Sequence, residues 1–111
     1  MPKELKFVLL LDCYGDMLTD KQRQNMELYY CEDLSLAEIS EPLGISRQAV
    51  RDGIKHSEQI LLDIENKLGF AGRLSQMRTC FDNIKKISEQ LDNPALQNQL
   101  NSYIQKCISL L

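Results

Sequence analysis

A short polar and cationic run near the middle of the chain has the residue types and spacing that contact nucleic acid. Arg47, Arg51 and Lys55 recur at every fourth residue, so a helix would place them in one stripe, the cationic strip. Arginine can donate two hydrogen bonds to guanine, the neighbouring Gln48 can pair with adenine, and Lys55 can reach a phosphate. Ser46 would cap the helix and offer its hydroxyl to another phosphate. The pattern predicts a nucleic-acid contact at Ser46, Arg47, Gln48, Arg51 and Lys55.

The charge of the chain is −3 overall but is distributed unevenly along the sequence. Residues 1–43 carry four basic and nine acidic side chains, residues 44–56 carry three and one, and residues 57–111 carry six of each. The predicted contact is therefore a small positive segment on a repelling background. Asp52 lies at or near the contact face, so we expect modest affinity that falls steeply with salt. The alternative interpretation is a merely solvated or protein-binding helix face.

The sequence around the cationic strip has the features of a helix-turn-helix. A capping box at Ser35 would begin its first helix, and Gly44 can adopt the positive φ that the turn requires. Ile45 would fill the angle between the helices, and Val50 with Ile54 would anchor the second helix beneath the first. This second helix is the one that carries the cationic strip.

The fold class predicted for the chain is all-α. Apolar residues recur at spacings of three and four, and no segment alternates with a period of two. We expect a helix-turn-helix domain over residues 1–69, with a first, largely surrounded helix over 3–14 and a long recognition helix over 46–68. A C-terminal helical hairpin is expected over residues 70–111, as a packing or dimerisation element of the same compact unit.

The hairpin is predicted from two amphipathic segments, which follow a flexible connector over residues 69–72. Asn93 and Pro94 have the order of a cap and a first-turn proline, and they would begin the last helix. The hairpin could fold back on the long helix, but its heptad-like seam favours pairing with a second copy. Such a homodimer would double the number of nucleic-acid contacts.

The remaining chemistry-bearing residues do not predict catalysis. The four cysteines are scattered without a Cys-x-x-Cys pair, and we interpret them as reduced thiols in buried packing. His56 is the only histidine and has no Cys, Asp or Glu at metal or triad spacing. We therefore expect no enzyme activity, no cofactor and no metal. The apolar run over residues 7–11 is too short to span a bilayer, so a cytoplasmic protein without membrane insertion is expected.

Three segments of the sequence closely resemble the YlxM family of bacterial helix-turn-helix proteins. They run from Leu18 to Tyr30, from Ser35 to Ile39 and from Ile45 to Asp52, within a similarity that covers about residues 5–68. The motif is also similar, more loosely, to the promoter-reading helix-turn-helix of sigma factors. The resemblance implies a sigma-factor-like N-terminal bundle and an accessory or regulatory role in the signal recognition particle pathway, through the particle's RNA or its GTPase.

Three functions remain open from the sequence. The first is an accessory factor that binds signal recognition particle RNA or duplex DNA, and the second is a sequence-specific DNA-binding transcription regulator that reads a palindrome as a dimer. The third is a protein-interaction scaffold for the particle's GTPase. The chain departs from the usual family pattern at Arg51, where an aromatic residue is frequent, and at Gly53, where asparagine is common. The preferred target therefore stays open.

Overall fold

The computed structural model describes residues 3–111, and within this range it contains six α-helices and no strand. The prediction of an all-α fold is confirmed. The chain divides into two compact units, an N-terminal unit that ends at Ala71 and a C-terminal unit that begins at Gly72. A 3₁₀ turn, Gly15–Met17, follows the first helix. The helices are α1 Lys6–Tyr14, α2 Asp20–Tyr30, α3 Leu36–Leu43, α4 Arg47–Leu68, α5 Phe70–Ser88 and α6 Pro94–Ser109.

Side-chain caps determine where the helices of the N-terminal unit begin. Thr19 Oγ1 accepts a hydrogen bond from the Gln22 backbone N–H, and the Gln22 side chain accepts one from the Thr19 N–H. Ser35 and Glu38 make the same reciprocal exchange at the start of α3, as predicted. No side chain caps α1, which begins at Lys6, three residues later than expected.

Glycines in the left-handed conformation end two of these helices. Gly44 follows α3 and Gly69 follows α4, each with a φ of +66°, which a residue without Cβ adopts at little cost. The end of α1 differs from this pattern, because Gly15 keeps a helical φ of −55° and leads into the 3₁₀ turn. Pro42 lies in the last turn of α3, where it cannot donate a backbone hydrogen bond.

The N-terminal unit is built around α4, which contacts α1, α2 and α3. Val50 and Ile54 on α4 are fully buried, as predicted, and so is Leu61, whereas Leu68 near the end of the same face is exposed. By contrast, α1 buries only one side, and Leu5 and Leu9 are 82% and 54% exposed. The prediction of a largely surrounded first helix is therefore wrong. The core consists of Phe7, Leu10, Leu11, Tyr14, Leu18, Met26, Tyr29, Ile39, Val50, Ile54, Leu61 and Ala71.

A polar cluster attaches the start of α5 to the N-terminal unit. The Tyr14 hydroxyl donates to Glu65 Oε1 at 2.5 Å and accepts from the Phe70 N–H at 3.1 Å. The Ala71 N–H donates to both the Tyr14 hydroxyl and Glu65 Oε1. Burial and the hydrogen bond to Glu65 raise the pKa of Tyr14. The flexible connector predicted over residues 69–72 is thus wrong, since two side chains bind the first N–H groups of a helix there.

The C-terminal unit consists of α6 and the part of α5 that begins at Gly72. Asn93 caps α6 by accepting from the Leu96 N–H at 3.2 Å, and Pro94 is the first helical residue, as predicted. Buried Ser88 donates to Asn101 Oδ1 at 3.0 Å. In the described chain after Ala71, Ile104 is the one large apolar residue that is buried. The other apolar residues of the two amphipathic helices are exposed or only partly buried.

Candidate nucleic-acid interface

The predicted helix-turn-helix is formed by α3, a turn over residues 44–46 and the first turns of α4. Its interior is made by Ile39 from α3 together with Val50 and Ile54 from α4. Ile45 was expected to fill the angle between the helices, but its side chain is exposed. This prediction is wrong because Ile45 directly follows the exposed left-handed glycine at the outer corner of the motif.

The structure places the predicted contact residues along the first three turns of α4. Ser46 is the helix cap, and its Oγ accepts from the Ala49 N–H at 3.0 Å, which leaves the hydroxyl proton free to donate. Arg47 and Lys55 are exposed, whereas Arg51 is half-buried. Successive members of the cationic strip are separated by about 6 Å along the helix axis. The strip therefore forms one continuous surface beside the buried face of α4.

The side chains of the cationic strip make no ion pair with any residue in the range 3–111. The ion pairs of that range involve Lys3, Lys6 and Arg23 instead. The first turn of α4 also lacks an acidic residue, whereas Asp20 and Glu38 occupy the first turns of α2 and α3. Positive charge at a helix N-terminus opposes the helix dipole, so this arrangement favours an external anion.

Gln48 differs from the cationic residues because it already has a partner. Its Nε2 donates to Asp52 Oδ1 at 2.9 Å, an interaction between residues four apart on the surface of α4. Bidentate pairing with adenine needs both the donor and the acceptor of the glutamine amide. Gln48 would have to leave Asp52 before it could read a base in this way.

Glu58 limits the positive surface on the side of the later turns. It lies one turn after Lys55, and the hydroxyl of Tyr30 donates to its Oε2 at 3.2 Å. Burial raises the pKa of Glu58, while the hydrogen bond from Tyr30 and the charge of Lys55 lower it. Burial likewise raises the pKa of Tyr30. The positive surface is consequently confined to the first turns of α4.

Other chemistry-bearing residues lie outside this surface. His56 is exposed, and no group of three or more His, Cys, Asp or Glu within residues 3–111 could hold a metal ion. All four cysteines are free thiols, but Cys31 and Cys80 are exposed, so the prediction of buried packing is wrong for these two. None of the helices described from Lys3 onward combines the length and hydropathy needed to cross a bilayer.

Comparison with known proteins places the chain among its relatives. A family model described as "Putative helix-turn-helix protein, YlxM / p13 like" matches residues 1–108. The chain belongs to this family. The resemblance to YlxM proteins is thereby confirmed, and it extends well beyond residues 5–68. The family is described by its helix-turn-helix and is not an enzyme family.

Relatives of this YlxM-like chain occur in several bacteria. A "UPF0122 protein" of Desulforamulus reducens is 51% identical over 71 residues, which are 64% of this chain and 61% of that protein. One from Streptococcus thermophilus is 45% identical over 91 residues, 82% of this chain and 81% of the relative. One from Clostridium kluyveri is 37% identical over 110 residues, 94% of this chain and 96% of the relative. The similarity therefore includes the C-terminal unit.

Two features of this YlxM-like chain escaped the sequence analysis for different reasons. The hydrogen bond from Tyr14 to Glu65 joins residues 51 positions apart, and no local sequence pattern predicts such a pair. The bond between Gln48 and Asp52 has a local signal, because amide and carboxylate side chains four residues apart on a helix commonly interact. That spacing could have identified Gln48 as a residue with an intrahelical partner.

Proposed function

We propose that this protein is a non-enzymatic helix-turn-helix protein that binds nucleic acid through Arg47, Arg51 and Lys55. One observation carries the proposal: these cations have no ion-pair partner among residues 3–111, and Arg47 lies in the first turn of α4, which contains no acidic residue. Because Val50 and Ile54 fix the adjacent face of α4 in the core, the helix that carries these cations is held in place before binding. Ser46 would supply a phosphate contact, and Gln48 would contribute only after leaving Asp52.

Membership of the YlxM-like family makes signal recognition particle RNA the first target to test. In this role the protein would be an accessory or regulatory factor for protein targeting, and duplex DNA would be a competing target. The particle's GTPase is the protein partner that the same resemblance implies. Co-purification of the two proteins after nuclease treatment would support a direct contact with the GTPase.

Salt dependence gives a quantitative expectation for the proposed contact. If the three cations each neutralise one phosphate, the logarithm of the binding constant should fall with the logarithm of salt concentration at a slope of about −2 to −3. The affinity should then fall by roughly 20- to 60-fold between about 50 and 200 mM salt. A protein that bound its partner through an acidic surface would not show this salt-dependent loss of affinity for a polyanion.

Filter binding to the particle RNA and to random duplex DNA tests the proposal. The double variant Arg47→Ala with Arg51→Ala should weaken binding at low salt and make the slope shallower by about two. The double variant Arg78→Ala with Lys86→Ala removes the same charge from exposed positions on α5 and serves as the matched control. Equal weak binding by the native chain and both variants would remove the proposal.

A second candidate function is a dimeric transcription regulator. Exposed apolar side chains on α5 and α6, among them Met77, Ile87 and Tyr103, favour it because they could pair with a second copy. Two recognition helices would then read half-sites about one DNA turn apart. Sedimentation at equilibrium, combined with a footprint on DNA upstream of the protein's own gene, would separate this candidate from a monomeric RNA-binding factor.

A further inference from the structure

A second surface, distinct from the cationic strip, is negatively charged. A cleft of about 300 Å³ opens between α1 and α2. Val8 and Leu11 contribute apolar side chains to it, and the end of α2 contributes Cys31. The cleft lies entirely within the N-terminal unit, so its shape depends only on helices that pack on the same core.

The walls of this cleft are acidic. They contain four carboxylates and one guanidinium, that of Arg23. Two of the carboxylates already neutralise Arg23, since Asp16 and Glu27 lie 2.7 and 2.9 Å from its nitrogens. The other two, Asp12 and Glu32, form no ion pair within residues 3–111. The cleft therefore presents uncompensated negative charge beside apolar side chains.

The apolar part of this surface continues onto the outer side of α1. Leu5 and Leu9 are 82% and 54% exposed, and at about 100° per residue they share one sector of the helix with Asp12. Exposed leucines on a helix whose other side is buried form an apolar face that no residue in the range 3–71 covers. Apolar and acidic groups thus lie next to each other on one surface, which we name the acidic cleft with its α1 rim.

We propose that the acidic cleft and its α1 rim bind a Lys- and Arg-rich amphipathic helical segment of a protein partner. The apolar side of such a segment would cover Leu5 and Leu9, and its cations would meet Asp12 and Glu32. The negative charge of the surface favours a basic protein segment over other binding partners. Residues 1–43 carry four basic and nine acidic side chains, so nucleic acid, an anionic membrane and a second copy of the same surface would all be repelled.

A thiol in the cleft allows the proposal to be tested on the native chain. The probe is an 18-residue helical peptide of leucine and lysine with an N-terminal chloroacetyl group, which alkylates cysteine and releases chloride. Cys31 lies in the cleft, and exposed Cys80 lies on α5, outside it. The ratio of Cys31 to Cys80 labelling should be roughly tenfold higher with the peptide than with chloroacetamide, because binding raises the local concentration of the reagent.

Charge-reversed variants and an acidic peptide supply the controls. Asp12→Lys with Glu32→Lys should return the labelling ratio to that of chloroacetamide and weaken peptide binding roughly tenfold in fluorescence anisotropy. Asp82→Lys with Asp92→Lys makes the same charge change at exposed positions of the C-terminal unit and should change neither result. Equal labelling ratios for peptide and chloroacetamide on the native chain, or equal labelling by a peptide with glutamate for lysine, would overturn the proposal. Neither result depends on Arg47 or Arg51, so nucleic-acid binding is tested separately.

Discussion

The N-terminal and C-terminal units contain similar amphipathic helices but differ in how much apolar surface they enclose. In the N-terminal unit three helices contact α4, and Ile54 and Leu61 are fully buried. In the C-terminal unit, Ile104 is buried, while Met77 and Tyr103 are exposed. Two helices joined by a short connection have too little mutual surface to enclose a full apolar stripe. Helix formation and core formation are therefore separate properties of this sequence.

This difference also shows where the candidate nucleic-acid contact obtains its rigidity. The cationic strip is carried by the helix at the centre of the N-terminal core, so the orientation of its side chains depends on that core. The C-terminal unit supplies no part of the strip. Changes that weaken the N-terminal core should therefore affect stability far more than comparable changes among the exposed apolar residues of α5 and α6.

The largest contrast is expected from paired truncations of apolar residues. Ile54→Ala removes a side chain that is 0% exposed and should lower the free energy of unfolding by about 2–5 kcal/mol. Met77→Ala removes one that is 45% exposed and should cost less than about 1 kcal/mol. Urea unfolding followed by circular dichroism at low protein concentration measures both values. If both variants lost a similar free energy of unfolding, the contrast between the two units would be contradicted.

A second contrast concerns two tyrosine hydroxyls. Tyr14→Phe removes the group that binds Glu65 and the Phe70 N–H, so buried polar atoms lose partners and stability should fall by about 1–3 kcal/mol. Tyr103 is 63% exposed, and Tyr103→Phe should be neutral. Hydrogen exchange of the Phe70 and Ala71 amides should accelerate in the first variant only. Unchanged exchange there would show that the cluster does not hold the start of α5.

A third contrast uses the caps of one helix in each unit. Ser46→Ala removes the acceptor for the Ala49 N–H and should lower the global free energy of unfolding by about 1 kcal/mol. Asn93→Ala removes the corresponding acceptor at the start of α6. Its effect should appear as local fraying in hydrogen exchange, with little change in the global free energy of unfolding, because Ile104 is the one large apolar side chain of α6 that is buried. If Asn93→Ala lowered the global free energy of unfolding as much as Ser46→Ala, the start of α6 would unfold together with the rest of the chain and not by local fraying.

The smallest contrast depends on pH. Burial raises the pKa of Glu58 above its value in the unfolded chain, so the folded state holds this proton more tightly. That stabilisation is complete below the unfolded pKa and is lost as pH rises through the folded pKa. The free energy of unfolding of Glu58→Gln should equal that of the native chain at about pH 3. At neutral pH it should be higher by less than about 1 kcal/mol, since solvent screens a partly exposed group.

The matched variant for this pH contrast is Glu89→Gln, at an exposed position just after α5. Thermal melts across the pH range should show no difference between this variant and the native chain. A stability gap for Glu58→Gln that stayed constant with pH would mean that its cause is not ionisation.

The helices and their caps could be predicted from the sequence because the responsible interactions are local. The capping boxes at Thr19 and Ser35 and the left-handed Gly44 each act over a few residues, and the structure contains all three. The fold class followed from the periodicity of apolar residues, whereas the family was indicated by the resemblance of three segments to YlxM proteins. The assignment of a contact role to the cationic strip is a matter of function and stays a prediction.

The errors in the sequence analysis arose where tertiary packing decides the outcome. An apolar helix such as α1 signals a preference for burial, but it does not show whether the chain itself supplies a cover for Leu5 and Leu9. Gly69 and Gly72 predict a flexible connector at the start of α5. A tyrosine and a glutamate, 51 residues apart, determine its conformation instead. Such distant pairs leave no periodic signal.

The single uninterrupted span of α4, Arg47–Leu68, restricts how a gene for this chain can change in length. Core residues such as Ile54 and Leu61 occupy the same helix as the cationic strip, with no loop to absorb an added residue. Inserting one codon just after Lys55 would rotate the strip by about 100° relative to Leu61. In-frame insertions and deletions should therefore be tolerated in the connection over residues 89–93 and rejected within α4, even where every individual substitution is mild.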